Sequence, residues 1–221
     1  MTKPMIFCDF DGTITNNDNI VKIMEHFGPI EAKQIKEDIL AQNISIQEGV
    51  KNLFSLLPTS KKEEIIHFVL NSAEIREGFS AFVRYTHEND IPLYIVSGGI
   101  DFFLEPVLEP YGPFTKVFCN QASFALETID IHYPHQCDEL CSSQGCGCCK
   151  PTIIRKHSSP EHFNILIGDS ITDFEAAKIA DAVLARDFLI QKCEETGISY
   201  TPFETFHDCI EYLDELVGAK S

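Results

Sequence analysis

Phe7-Cys8-Asp9-Phe10-Asp11-Gly12-Thr13-Ile14-Thr15 is the stretch on which the chain turns. An apolar run, Met5-Ile6-Phe7-Cys8, meets two carboxylates set two positions apart and then a glycine. The run has no polar alternation, the pattern of a short strand buried on both faces, as in a parallel sheet. Asp-Gly is a turn pair, which accounts for Gly12 at a strand end. Asp9 is left unexplained, because a carboxylate at the exit of a buried strand is costly without a partner. Neighbouring carboxylates also resist joint ionisation unless a cation compensates, one carries a proton, or they point apart. A hard divalent cation such as Mg²⁺, bound by carboxylate oxygens and substrate phosphate, is a partner of the required kind.

Outward from this stretch, other apolar runs end in polar residues. Pro92-Leu93-Tyr94-Ile95-Val96 precedes Ser97-Gly98-Gly99, and Phe163-Asn164-Ile165-Leu166-Ile167 precedes Gly168-Asp169. Lys116–Cys119 and Ala182–Ala185 read as further strands, residues 121–136 as a small hairpin. Helical patterns fall over 79–90, 102–108, from Pro151, from about Asp173 and over 206–217. Residues 18–70 differ: Ile20, Ile23, Met24, Phe27 and then Val50, Leu53, Phe54, Leu57 follow helical spacing with no strand between them. They predict a helical insertion packed on itself. Strands alternating with helices imply an α/β fold, a doubly wound, Rossmann-like parallel sheet with right-handed crossovers and an α-helical insertion after the first strand. Ligands in such sheets sit beyond the carboxyl ends of the strands. Asp9 and Asp11, Ser97 and Gly98, and Asp169 are thereby brought to one edge.

Ser97-Gly98-Gly99 offers a hydroxyl and unobstructed N–H groups to a phosphate, though an ordinary loop reads the same way. Ser170 and Asp173 fit a helix capping box, which leaves Asp169 as a third oxygen donor. Lys150 stands just before the helix-opening Pro151, where a cation opposes the helix dipole; that conflict suits a lysine that serves a phosphate.

The formal net charge of −17 over 221 residues excludes a nucleic-acid backbone binder, which needs a basic footprint. It leaves room for a small phosphorylated substrate held by a local cation. No stretch reaches the roughly 18 apolar residues of a membrane span, and the first residues carry no secretory pattern, so the expected location is the cytoplasm. The oligomeric state is open, a homodimer included.

The ordered set Asp9-Phe10-Asp11-Gly12-Thr13, Ser97, Lys150 and Gly168-Asp169-Ser170-Ile171-Thr172-Asp173 resembles the four motifs of the haloacid dehalogenase superfamily of phosphohydrolases. The resemblance implies Asp9 as nucleophile and Asp11 as general acid and base. It implies Mg²⁺ held by Asp9, the Asp11 carbonyl and Asp169, and phosphate bound by Ser97, Gly98 and Lys150, with Thr13 and Asp173 in support. It implies a core of residues 1–14 and 76–221, with 15–75 as a cap that reads the leaving group and 120–149 as a small cysteine-rich insertion. The cap type is similar to that of phosphoserine phosphatases, which use a cap glutamate and a cap arginine on the amino-acid head group. Here the nearest acidic residue is Asp18 and residues 14–75 hold no arginine, so a substrate without a carboxylate is expected. Arg76–Phe79, Val96–Phe103 and Cys148–Pro151 carry a closer resemblance to superfamily members that dephosphorylate an enol phosphate of methionine salvage. A phosphotransferase remains an alternative, as does a zinc-stapled, non-catalytic interaction module on the same scaffold.

Five of nine cysteines crowd 137–149. Cys137-x₃-Cys141 and Cys146-x₂-Cys149 are plausible thiolate pairs for a structural Zn²⁺, with His132 and His135 upstream. Only four residues separate the pairs, fewer than in zinc fingers. Reduced thiols, a zinc staple and disulfides formed after purification all stand, in that order.

Overall fold

The computed structural model describes residues 3–218. Strands β1 (Lys3–Cys8), β2 (Leu93–Ile100), β3 (Lys116–Ser123), β4 (Asp130–His132), β5 (His162–Gly168), β6 (Ala182–Ala185) and β7 (Thr201–Pro202) form one sheet in the order β4-β3-β2-β1-β5-β6-β7. All neighbours pair in parallel except β3 with β4. Helices α1 (Asn19–Phe27), α2 (Ala32–Leu40), α3 (Ile46–Ser55) and α4 (Lys62–Ser72) form the insertion after β1. The remaining helices are α5 (Phe79–Glu88), α6 (Asp101–Leu108), α7 (Lys150–His157), α8 (Ile171–Ala177), α9 (Asp187–Thr196) and α10 (Phe206–Gly218). None of the described helices is long and apolar enough to cross a membrane.

The fold follows from β1. Its side chains alternate between two cores: Met5 and Phe7 pack with Val96, Phe118, Leu166 and Val183, while Ile6 and Cys8 pack with Ile95, Ile165, Ile167 and Phe206. A strand apolar on both faces belongs at the centre of a two-sided sheet. The chain fills one flank of β1 with β2 to β4 and the other with β5 to β7. The order reverses at β1, the crevice where such sheets bind ligands.

Three expectations are corrected. The insertion does not pack on itself alone: fully buried Phe54 of α3 lies edge-on to Phe102 of α6, ring centroids 6.1 Å apart, and insertion and sheet share one apolar cluster. Four helices of 9 to 11 residues offer too little mutual surface, so their apolar stripes close on the sheet domain. Strand β2 does not stop at Val96 but continues to Ile100 through a register shift between these two residues. Strand β3 runs on to Ser123, so residues 120–123 belong to the sheet and not to the cysteine-rich segment.

The chain leaves and re-enters the sheet domain at a bridge between Thr15 and Ile75. Arg76, 7% exposed, secures this crossing. Its guanidinium donates to the carbonyls of Gly12 and Thr13 at 2.7 Å each and to that of Glu204 at 3.3 Å. Arg76→Met strands these carbonyls and lowers unfolding free energy by about 3 kcal/mol. Urea denaturation measures this loss, and an unchanged midpoint would contradict it.

Candidate active site

Strand register delivers the candidate residues to one place. Cys8 pairs with Ile95 on one side and Ile167 on the other, so Asp9 leaves β1 level with Val96, where the register of β2 shifts, and with Gly168, the last residue of β5. The Asp9 N–H donates to the Ile167 carbonyl at 2.9 Å. Lys150, on the first turn of α7, reaches the same point. Its Nζ lies 2.7 Å from Asp9 Oδ2 and 2.5 Å from Asp173 Oδ1. All three are buried, Asp9 at 5%, Lys150 at 3% and Asp173 at 0% exposure.

Each remaining candidate has a defined place. Asp173 also closes a capping box with Ser170 on α8, so one carboxylate ends the helix and holds the lysine. Thr13 donates its hydroxyl to Asp169 Oδ1 at 2.8 Å. Gly12 has φ +78°, and a Cβ there would lie 2.2 Å from Asp169 Oδ2, so only glycine lets the two motifs meet. Ser97 is fully buried, its Oγ accepting from the Gly99 N–H at 2.9 Å. At Gly98 a Cβ would meet nothing within 4 Å, so this backbone faces open space. Asp11 turns away from Asp9: its Oδ1 accepts from the backbone N–H of Asn19 at 2.9 Å and from Asn19 Nδ2 at 2.6 Å.

The electrostatics show a site short of positive charge. Asp9, Asp169 and Asp173 each place an oxygen within 4.8 Å of the others. One ammonium faces three carboxylates. Burial first, then repulsion from Asp173, raises the Asp9 carboxyl well above its ordinary value and Asp169 to about 7. Lys150 is also raised: Asp173 and Asp9 outweigh the burial that disfavours its charge. Asp11 rises to about 7, by burial and then by the nearby Asp18. Buried carboxylate oxygens with surplus negative charge fit Mg²⁺ in donor type and charge.

Cys137, Cys141, Cys146 and Cys149 also converge, their sulfurs within 4.8 Å of one another. His132 stays outside, paired with Asp130 at 3.5 Å, and His135 stacks edge-on to Phe118.

Two structural residues escaped the sequence reading. Asn19 is fully buried and orients Asp11 from the insertion; Asp18, which caps α1 by accepting from Val21 N–H, was the signal that a helix starts beside the first motif. Asn120, also buried, donates from Nδ2 to the Gly98 carbonyl at 2.8 Å and fixes the open backbone. Nothing local marks it.

A profile of the haloacid dehalogenase-like hydrolases matches residues 6–178, and the chain belongs to that family. It is a phosphoric monoester hydrolase. Curated relatives from Lysinibacillus sphaericus (strain C3-41) and Bacillus thuringiensis (strain Al Hakam), both named 2-hydroxy-3-keto-5-methylthiopentenyl-1-phosphate phosphatase, are each 55% identical. The first alignment covers 97% of this chain and 96% of the relative, the second 97% and 98%. A phosphoserine phosphatase solved as a phospho-aspartyl intermediate analogue superposes with TM-score 0.71 at 20% identity, over 96% of this chain and 99% of that one. The phosphoserine phosphatase of T. onnurineus gives 0.70 at 15% identity, over 96% and 94%. Phosphatases of this family generally use Mg²⁺.

Gly98→Ala leaves the melting temperature unchanged, because the methyl meets no protein atom. It weakens inhibition by inorganic phosphate about tenfold, ~1.4 kcal/mol, by filling space left for the anion. Unaltered inhibition would show that the phosphate lies elsewhere.

Proposed function

We propose that this chain is a Mg²⁺-dependent phosphatase acting through an aspartyl-phosphate on Asp9, with 2-hydroxy-3-keto-5-methylthiopentenyl-1-phosphate as substrate. The observation that carries the chemistry is the buried Asp9 side chain held by Lys150 where β1 and β5 end beside β2. The substrate rests on the two relatives that are 55% identical over nearly the whole chain.

Asp9 attacks phosphorus in line, and the bond from phosphorus to the leaving oxygen breaks. The leaving oxygen takes its proton from Asp11. The two hydrogen bonds from Asn19 occupy Asp11 Oδ1, and Oδ2 faces Gly99, where an added Cβ would lie 3.1 Å from it. That oxygen carries the proton. Asp11 then accepts a proton from the water that attacks phosphorus, which frees phosphate and restores the Asp9 carboxylate. Lys150 and the Ser97-Gly98 backbone stabilise the phosphoryl oxygens. Asp9, the Asp11 carbonyl and Asp169, with Asp173 beside them, would hold Mg²⁺, which would supply charge that offsets repulsion between carboxylate and phosphate. The insertion, residues 15–75, acts as the cap that excludes water and contacts the leaving group.

The arginine inventory favours this substrate over phosphoserine. Residues 14–75 contain none, and the nearest, Arg76, spends its guanidinium on backbone carbonyls. No arginine of the insertion can clamp a substrate carboxylate.

Four outcomes are expected. Asp9→Asn abolishes turnover without changing the melting curve, and retained activity would remove Asp9 as nucleophile. Asp11→Ala slows alkyl phosphates about 10²- to 10⁴-fold and aryl phosphates far less; equal losses would remove the acid role. Chelation of Mg²⁺ abolishes activity and Mg²⁺ restores it, and a substrate panel ranks the enol phosphate above phosphoserine, the reverse order overturning the substrate.

A further inference from the structure

Seventeen residues, 133–149, connect β4 to α7 without helix or strand. Such long irregular connections are uncommon inside a compact domain and need something to hold them. Apolar packing holds its ends, with Tyr133 against one core cluster and Cys148 in the other, but not its middle, where Leu140 is 75% exposed. The backbone passes through left-handed conformations at Gln144, Gly145 and Gly147, with φ of 46°, 67° and 79°. These turns bring Cys137, Cys141, Cys146 and Cys149 together, Cys141 and Cys149 buried and the other two half-buried.

The spacing of the sulfurs fits one tetrahedral metal ion, for which zinc is the redox-inert choice. Sγ of Cys141 and Cys146 are 3.7 Å apart, and all four lie within 4.8 Å of one another. A tetrahedral zinc with Zn–S of about 2.3 Å sets its sulfurs about 3.8 Å apart. A disulfide brings two sulfurs to about 2.05 Å and leaves the other two aside. An iron–sulfur cluster, several atoms across, needs its thiolates further apart.

The surroundings suit negative sulfur. Cys149 stands at the N-terminus of α7, and its Sγ lies 3.1 Å from the Thr152 hydroxyl. The Arg155 guanidinium forks onto Asp138 at 2.9 and 2.5 Å and reaches, at 3.4 Å, the same Thr152 hydroxyl that lies against Cys149 Sγ. Such outer partners orient thiolate ligands and temper their charge.

We propose that Cys137, Cys141, Cys146 and Cys149 bind one structural zinc ion as a closed tetrathiolate site that holds the 133–149 loop and fixes Lys150 in place. Four thiols release four protons to the solvent, Zn²⁺ takes four thiolates, and nothing is oxidised or reduced. Four protein ligands leave no open position, so the ion is not a catalyst. Its effect is positional. Lys150 follows Cys149 directly, while Gly145 accepts at its carbonyl from the Gln47 N–H at 3.0 Å and the Tyr133 hydroxyl donates to the Gln47 carbonyl at 2.6 Å. The staple thus joins the buried lysine to helix α3. It stands independently of the phosphatase substrate.

The test uses full-length, untagged protein purified under reducing conditions without added zinc. Elemental analysis is expected to give one zinc per chain that survives dialysis against a chelator strong enough to remove Mg²⁺. Protein produced in cobalt medium should show intense thiolate-to-cobalt charge-transfer absorption and the visible bands of tetrahedral Co²⁺. Cys137→Ser and Cys146→Ser should each lose at least about nine-tenths of the metal, whereas Cys193→Ser, outside the cluster, should keep it. If the cluster variants fail to fold, the wild-type stoichiometry and cobalt spectrum decide. Metal-free protein with nine titratable thiols, a mass lowered by paired hydrogens from disulfides, iron in place of zinc, or zinc retained in Cys137→Ser would each overturn the site.

Discussion

The ammonium of Lys150, buried between Asp9 and Asp173, is the interaction on which the rest of the molecule depends. Taking a lysine and two carboxylates out of water is expensive, and each is tolerable only in the company of the others. Their meeting requires β1 and β5 in one register, α7 starting at residue 150, and α8 capped by Asp173. Remove any one of these and a charge is left buried alone. The surplus of carboxylate that remains is what makes the place a site instead of a satisfied ion pair. A network already neutral would have no use for a divalent cation or for a phosphate.

The same economy governs the insertion. Its helices share a core with α6, and that apolar surface holds the insertion against the sheet domain. Asn19 ties this packing to the first motif, because its two donors reach the carboxyl of Asp11 from the start of α1. Arg76 keeps the crossing point rigid from below. The insertion therefore fixes the orientation of the Asp11 carboxyl.

Much of this was legible in the sequence, for a physical reason. Strands β1, β5 and β6 are buried on both faces, so they write themselves as unbroken apolar runs, and the polar residue after each run marks the functional edge. Strand β2 was cut short because Ser-Gly-Gly reads as a loop when it is a bulged strand end. Strand β7, two residues with a proline, has no pattern to read. Arg76 and Asn120 act through backbone carbonyls of residues distant in sequence. A side chain's destination of that kind is set by tertiary structure and leaves no local spacing. The insertion's helical periodicity was plain, but which surface its apolar stripes would meet was not, since periodicity gives a direction and no partner.

The cysteine loop completes the logic of the buried lysine. A lysine has four rotatable bonds and a strong preference for water, so holding its head among carboxylates requires a fixed backbone at its root. On one side α7 provides this through Pro151 and buried Ile153 and Ile154. On the other side the chain is an irregular loop that packs at its ends, through Tyr133 and Cys148, and is exposed at Leu140 in its middle. Four thiolates on the proposed zinc ion would give that side its rigidity without a helix, a strand or a large side chain. Sulfur serves there because the loop must also reach α3, and a segment that spans sheet and insertion has no room to build a hydrophobic core of its own.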